Sequence, residues 1–189
     1  QVEPLEIKVV REWSEDGIRI RYVTFHIGTF KGTPARMAAL YAIPEKQAGK
    51  FPGLLHCHGG GQRANLRLVK EMAQRGYATL SINWGGREME GAKPKEENTD
   101  WGAVDPTLNN VSGYSSLQPN EKTIDVVDSP RNNNWFLLTI GARRGLTFLE
   151  QQPEVDANRL GLRGHSMGGR LTGLVAGCDT RVKAASPSV

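Results

Sequence analysis

The chain has 189 residues, 38% of them hydrophobic and 23% charged, and a net charge of +4. That length suits one domain with a real core, and that composition excludes a disordered chain. No apolar run reaches the roughly 18 residues of a membrane span, and the two cysteines do not make a disulfide scaffold. The 22 glycines and 10 prolines point to many tight turns, with no three-residue collagen period. Basic residues are scattered singly, as at Arg63, Arg67, Lys70 and Arg75. This spacing describes a solvated helix face, not a nucleic-acid footprint. The first residue is Gln1, which reads as a processed or trimmed chain from which a signal peptide has been removed or was never part.

In chain order, Ile18, Ile20, Tyr22 and Thr24 alternate with Arg19, Arg21, Val23 and Phe25. Gly28 to Pro34 supplies turn residues, and Arg36 to Ile43 forms a second run. The two runs predict an antiparallel pair. Leu54 to His58 predicts a short strand that stops at Gly59-Gly60-Gly61. Leu66, Val69 and Ala73 predict a helix over 65–75 with Gly76 as its stop, and 77–82 reads as the next strand. This strand–helix–strand order implies a parallel sheet with a right-handed crossover.

Residues 84–134 break the rhythm, with 5 basic and 9 acidic residues and little periodicity. A stretch this long is a functional excursion or a disordered segment. Trp84, Trp101 and Tyr114 lie in it, as ligand-cleft aromatics or as anchors to the body. Asn110-Val111-Ser112 matches the glycosylation acceptor pattern, which is also common by chance. Trp135, Leu138, Ala142, Leu146 and Leu149 then mark one helix face, and Asp156-Ala157-Asn158 reads as a turn. Leu160 to Leu162 is strand-like, Leu171, Leu174, Val175 and Cys178 mark a further helix, and Val182 begins another strand. No internal repeat and no second domain are visible.

The strongest chemical signal is Gly164-His165-Ser166-Met167-Gly168, extended by Gly169. It follows an expected strand and opens an expected helix. That context turns a common Gly-x-Ser-x-Gly pattern into a nucleophile elbow, in which a sharp bend lifts a serine hydroxyl above the sheet. The competing reading is a glycine-rich packing turn. The second signal is His58-Gly59-Gly60-Gly61 at the end of a strand. Glycines there let backbone N–H groups face a ligand without side-chain obstruction. A tetrahedral oxyanion needs such donors, and the N–H groups of Met167 and Gly60 are the expected pair, with Gly61 as substitute. Alone, the glycine run would equally describe a flexible turn.

These residues resemble the α/β-hydrolase fold, and within it the acetyl xylan esterase and dienelactone hydrolase-like branch. The likeness rests on Glu150 to Gly161 running into Gly164 to Gly169, on the opening β pair with Pro44, and on Leu54 to Gly61. It covers about residues 18–83 and 134–189, and leaves the insert at 84–134 unmatched. It implies one α/β domain over 1–189, a mostly parallel sheet with helices on both faces. It further implies Ser166 as nucleophile, Met167 and Gly60 as oxyanion donors, and Trp84 and Arg87 at the substrate-binding rim. The substrate would be an acetyl ester of carbohydrate or a related small ester. No cofactor, metal, nucleic acid or membrane is expected as partner, and family habit suggests a secreted or periplasmic location.

One departure stands out. In this fold the triad acid and then the histidine follow the serine. No histidine follows Ser166 here, and the acid that does follow, Asp179, comes too early. The fold is therefore expected to be C-terminally incomplete, with acid and base beyond Val189. Among the histidines present, His26 is expected to be exposed or structural, His58 to brace the glycine loop, and His165 to point away from Ser166. His56 and His58 lack a third ligand for a metal. Cys57 and Cys178 are expected to be buried free thiols more readily than a disulfide. Two other functions fit the same residues, a prolyl-oligopeptidase-like serine peptidase and a non-catalytic binding protein of the same fold. The first usually carries a propeller whose repeats are not seen here.

Overall fold

The computed structural model describes residues 3–30, 32–46, 49–102 and 134–188. The elements are β1 (Lys8–Glu15), β2 (Ile18–Phe30), β3 (Thr33–Pro44), β4 (Phe51–Cys57), α1 (Leu66–Gln74), β5 (Ala78–Ile82), α2 (Asn134–Glu150), β6 (Val155–His165), α3 (Met167–Cys178) and β7 (Val182–Ser188). The strands form one sheet in the order β1-β2-β3-β5-β4-β6-β7. The first three strands and the β3–β5 pair are antiparallel, while β5, β4, β6 and β7 run parallel. The sheet is thus mixed, with five of its seven strands pointing the same way.

Alternation decides which side chain meets which layer, because successive strand residues face opposite sides. Ile18, Ile20 and Tyr22 of β2 and Ala38, Leu40 and Ala42 of β3 pack with Val69 and Ala73 of α1. Val23 and Phe25 of β2, Met37 and Tyr41 of β3 and Leu55 of β4 face the other way. They pack with Leu138, Ala142, Leu146 and Leu149 of α2 and Leu171 and Val175 of α3. Helices therefore cover both faces, as expected. Gly145 lets α2 approach the sheet, since a Cβ there would lie 3.0 Å from Leu55.

Two local readings are corrected and one strand is added. β1 was not anticipated. The Asp156-Ala157-Asn158 turn lies inside β6, where the pairing with β4 jumps from Asp156 to Leu160. There the Asp156 carboxylate accepts from the Asn158 N–H at 3.0 Å, an Asx turn that makes a bulge. Cys57 is buried, but Cys178 is exposed, and both are free. Leu174, one turn before Cys178, is also exposed, so this side of α3 faces away from the core. Tyr114 and the Asn110 acceptor pattern lie outside the described residues.

Candidate active site

Ser166 is the single residue between β6 and α3. Its φ of 56° and ψ of −121° are unusual for a residue with a side chain. The backbone holds this bend from both sides: the Ser166 N–H donates to the Ser188 carbonyl at 2.8 Å, and the Ser166 carbonyl accepts from the Arg170 N–H at 3.1 Å. The residue is exposed, and its hydroxyl makes no capping bond to the helix it precedes.

The glycines around it are there for space. A Cβ on Gly164 would lie 2.8 Å from the Cys57 carbonyl oxygen, and one on Gly168 would lie 2.6 Å from that of His58. Real Cβ atoms do not come that close to backbone, so the elbow closes against the end of β4 only with glycine at both positions. Gly169 meets the end of β7 in the same way, with Ser188 N at 3.1 Å.

Strand register brings the glycine loop to the elbow. Cys57 pairs with Gly164 across β4 and β6, and with Ile82 across β4 and β5. The loops after Cys57, Ile82 and His165 therefore leave the sheet at one edge, the carboxyl ends of parallel strands, where open α/β sheets place their ligands. A Cβ on Gly59 would sit 3.2 Å from the His165 carbonyl oxygen, which measures how closely the loop lies against the elbow. Gly61 adopts a φ of 70°, the left-handed region that glycine enters without strain. Among the described residues, neither the Gly60 nor the Met167 N–H donates a hydrogen bond. For Met167 this follows from its place in the first turn of α3.

Trp84 and Trp101 are both buried. The Trp84 ring stacks on His58 at 4.7 Å and 9°, its N–H donates to the His58 carbonyl at 2.9 Å, and the Trp101 N–H donates to the Trp84 carbonyl at 3.1 Å. Of the two readings for these aromatics, their burial fits anchoring. Arg87 is exposed, and its guanidinium donates to the Gly61 carbonyl. Sequence reasoning did not find the polar knot beneath this rim. The Asn83 carboxamide accepts from the Ala64 N–H at 3.1 Å and donates to the Arg87 carbonyl at 2.6 Å and to Asn98 at 2.7 Å. Thr99 donates to the Asn83 carbonyl at 2.7 Å and accepts from the Ala38 N–H at 2.9 Å. Isolated Asn and Thr in a loop carry no sequence signal that distinguishes such a knot from solvated turn residues.

The histidines are committed elsewhere. His26 is buried, with Nδ1 3.3 Å from the Pro4 carbonyl. His56 Nδ1 lies 2.8 Å from the Ser81 hydroxyl, and burial pushes its pKa down to about 3. His58 Nδ1 lies 2.7 Å from the Gly59 carbonyl oxygen, and burial pushes it down to about 4. His165 is exposed and meets the Ser188 hydroxyl at 2.8 Å. Asp179 is remote from the elbow, because it precedes Val182, which pairs with Leu160, whereas Ser188 pairs with His165. Six strand residues at ~3.3 Å each separate the two ends by about 20 Å. The Asp179 carboxylate is bound by Arg181 at 2.7 Å and Arg143 at 3.0 Å, and these bonds hold it well below the usual carboxylate range. Among the described residues, no three His, Cys, Asp or Glu side chains converge on a common point where a metal ion could be held.

A sheet of this topology, with a serine perched between a parallel strand and its following helix, defines the α/β-hydrolase class. The sequence matches the acetyl xylan esterase (AXE1) family over residues 3–189, and the chain belongs to that family. Comparison with curated protein sequences gave no significant match. Among solved structures, the chain is similar to the acetyl xylan esterase from Paenibacillus sp. R4, with 25% identity, a TM-score of 0.67, and coverage of 98% of this chain and 54% of that one. It is also similar to acetyl xylan esterase 1 from Thermoanaerobacterium sp. JW/SL YS485, with 22% identity, a TM-score of 0.67 and coverage of 97% and 52%. The glucuronoyl esterase from Solibacter usitatus shares the fold at 18% identity, with a TM-score of 0.64 and coverage of 98% and 52%. The chain spans about half the length of these structures.

Proposed function

We propose that these residues carry the nucleophile half of a serine-dependent carboxylic ester hydrolase acting on acetyl esters of carbohydrate or related small esters. The observation that supports this best is Ser166, exposed on a bend of φ 56° and ψ −121° beside a glycine loop. Ser166 Oγ attacks the ester carbonyl. The developing oxyanion is received by the N–H groups of Met167 and Gly60, the alcohol leaves, and water then releases the acyl group from Ser166. Arg87 flanks the substrate at the rim, and Trp84 acts from beneath the glycine loop. A serine needs a base, and none of the four histidines is placed to serve: three are bonded within the fold away from Oγ, and His165 is turned to Ser188. The reading therefore assigns the base and its acid partner to residues outside these 189. Family membership and the esterase neighbours favour ester over peptide substrates.

The test compares the full-length polypeptide with its Ser166→Ala variant on aryl acetates. The variant should lose at least about 10³-fold in kcat, since removing a triad member leaves only binding and oxyanion stabilisation. Equal turnover by the two proteins removes the serine mechanism. A binding protein without catalysis would show no turnover in either, and no covalent label from a fluorophosphonate.

A further inference from the structure

The peptide group between Gly59 and Gly60 carries both a carbonyl and the N–H assigned to the oxyanion. No described peptide bond is cis, and in a trans peptide the C=O and N–H point in opposite directions. Whatever grips the Gly59 oxygen therefore aims the Gly60 N–H. Two donors grip it, His58 Nδ1 at 2.7 Å and the Gln62 backbone N–H at 3.3 Å. A carbonyl oxygen only accepts, so Nδ1 carries the ring proton.

The imidazole is itself fixed. It is 1% exposed and stacked on Trp84, whose N–H donates to the His58 carbonyl at 2.9 Å. Burial keeps the ring neutral, with its pKa pushed down to about 4, so Nε2 bears a lone pair. That Nε2 is buried and has no hydrogen-bond partner among the described residues. A buried nitrogen left unpaired is unfavourable, and an apolar ring would stack on Trp84 without that penalty. The Nδ1–H bond to Gly59 is what a histidine supplies here and a phenylalanine does not.

We propose that His58 is a positioning residue for ester hydrolysis: its Nδ1–H locks the Gly59–Gly60 peptide so that the Gly60 N–H faces the oxyanion formed at the carbonyl attacked by Ser166. This rests on the ester hydrolase reading and gives that reading a specific support for its oxyanion donor.

The experiment uses the full-length polypeptide with His58→Phe, His58→Asn and His58→Gln. Phenylalanine keeps a flat ring against Trp84 and removes the donor. Asparagine places an amide nitrogen near the Nδ1 position, and glutamine places one near Nε2. On aryl acetates, His58→Phe should lower kcat about 10–100-fold, a fraction of the loss typical for deleting an oxyanion donor, and leave KM within about threefold. His58→Asn should recover most of that loss, and His58→Gln should stay impaired. Affinity for a boronic acid that forms a tetrahedral adduct on Ser166 should follow kcat through the series. Wild-type kcat in His58→Phe overturns the proposal. So do equal activities in His58→Asn and His58→Gln, a comparison that stands even if the phenylalanine variant does not fold. Turnover that survives in Ser166→Ala removes the hydrolase reading and this role with it. Turnover that needs Ser166 but ignores His58→Phe removes the role alone.

Discussion

At Ser166 the backbone is bent in a way that costs a side-chain-bearing residue about 1–3 kcal/mol. The bend is held by bonds to Ser188 and from Arg170, and by the closeness of Gly164 and Gly168 to the end of β4. Strain of this kind inverts the usual ranking of alanine and glycine. At an ordinary position glycine is less stable than alanine by about 0.5–1 kcal/mol. Here Ser166→Gly should be more stable than Ser166→Ala by about 1 kcal/mol, because only glycine relaxes into a φ of 56°. Urea unfolding of the two variants checks this, and a more stable alanine variant would show that the bend holds no strain. The bend was legible in the sequence because its tight approach to β4 demands glycine on both sides of Ser166. A serine flanked by glycines, after a strand and before a helix, has few other uses. Asp179 follows the serine too early for a triad acid, and its ion pairs with Arg181 and Arg143 give it a structural task at the other end of β7. The depth of Trp84 was not legible. It stands between Asn83 and Gly85 at the mouth of a glycine- and charge-rich stretch, and it packs on His58 and bonds to Trp101, which are distant along the chain.

At the scale of elements, α1 covers one face of the sheet, with Val69 and Ala73 in the smaller core layer. Asn65 caps it: the side-chain oxygen accepts from the Leu68 N–H at 2.9 Å, while the Asn65 N–H donates to the Ser81 hydroxyl at 2.9 Å. Only the first of these bonds needs the side chain. Asn65→Ala should therefore cost about 1 kcal/mol and Asn65→Asp should cost little, both read from the midpoint of denaturant unfolding. Equal losses in the two would mean that the cap contributes nothing. The helices and inner strands were readable because each buries a periodic face. Leu138, Ala142, Leu146 and Leu149 all reach the core at the positions their spacing predicts. β1 was not readable, since Lys8–Glu15 is an edge strand with no buried residue and so lacks alternation. The β6 bulge escaped notice for the opposite reason. Asp156 and Asn158 are good turn residues, and nothing local says that the pairing with β4 continues past them.

For the whole molecule, the inner strand β4 carries His56 and leads into His58, both buried. Burial lowers both pKa values below the ordinary 6.5, to about 3 for His56 and about 4 for His58. Below pH 6.5 the unfolded chain therefore takes up protons that the folded chain refuses. Stability is fully present above that pH and is lost as the pH falls toward 4, at up to about 1.4 kcal/mol per pH unit for each ring. Asp179 acts in the same direction but later. Its folded pKa is depressed, so its contribution is lost only below the ordinary carboxylate value of 3.8. Between pH 7 and pH 5 the protein should lose about 4 kcal/mol of unfolding free energy, nearly all of it from the two histidines. Urea titrations at several pH values measure this. His56→Asn keeps a donor or acceptor toward Ser81 and removes one titrating ring, so it should roughly halve the slope over that interval. A profile that stays level down to pH 4.5 would mean that the carboxyl end of β4 admits water, and that His58 is not the neutral, sealed ring that the proposed aim of the Gly60 N–H requires.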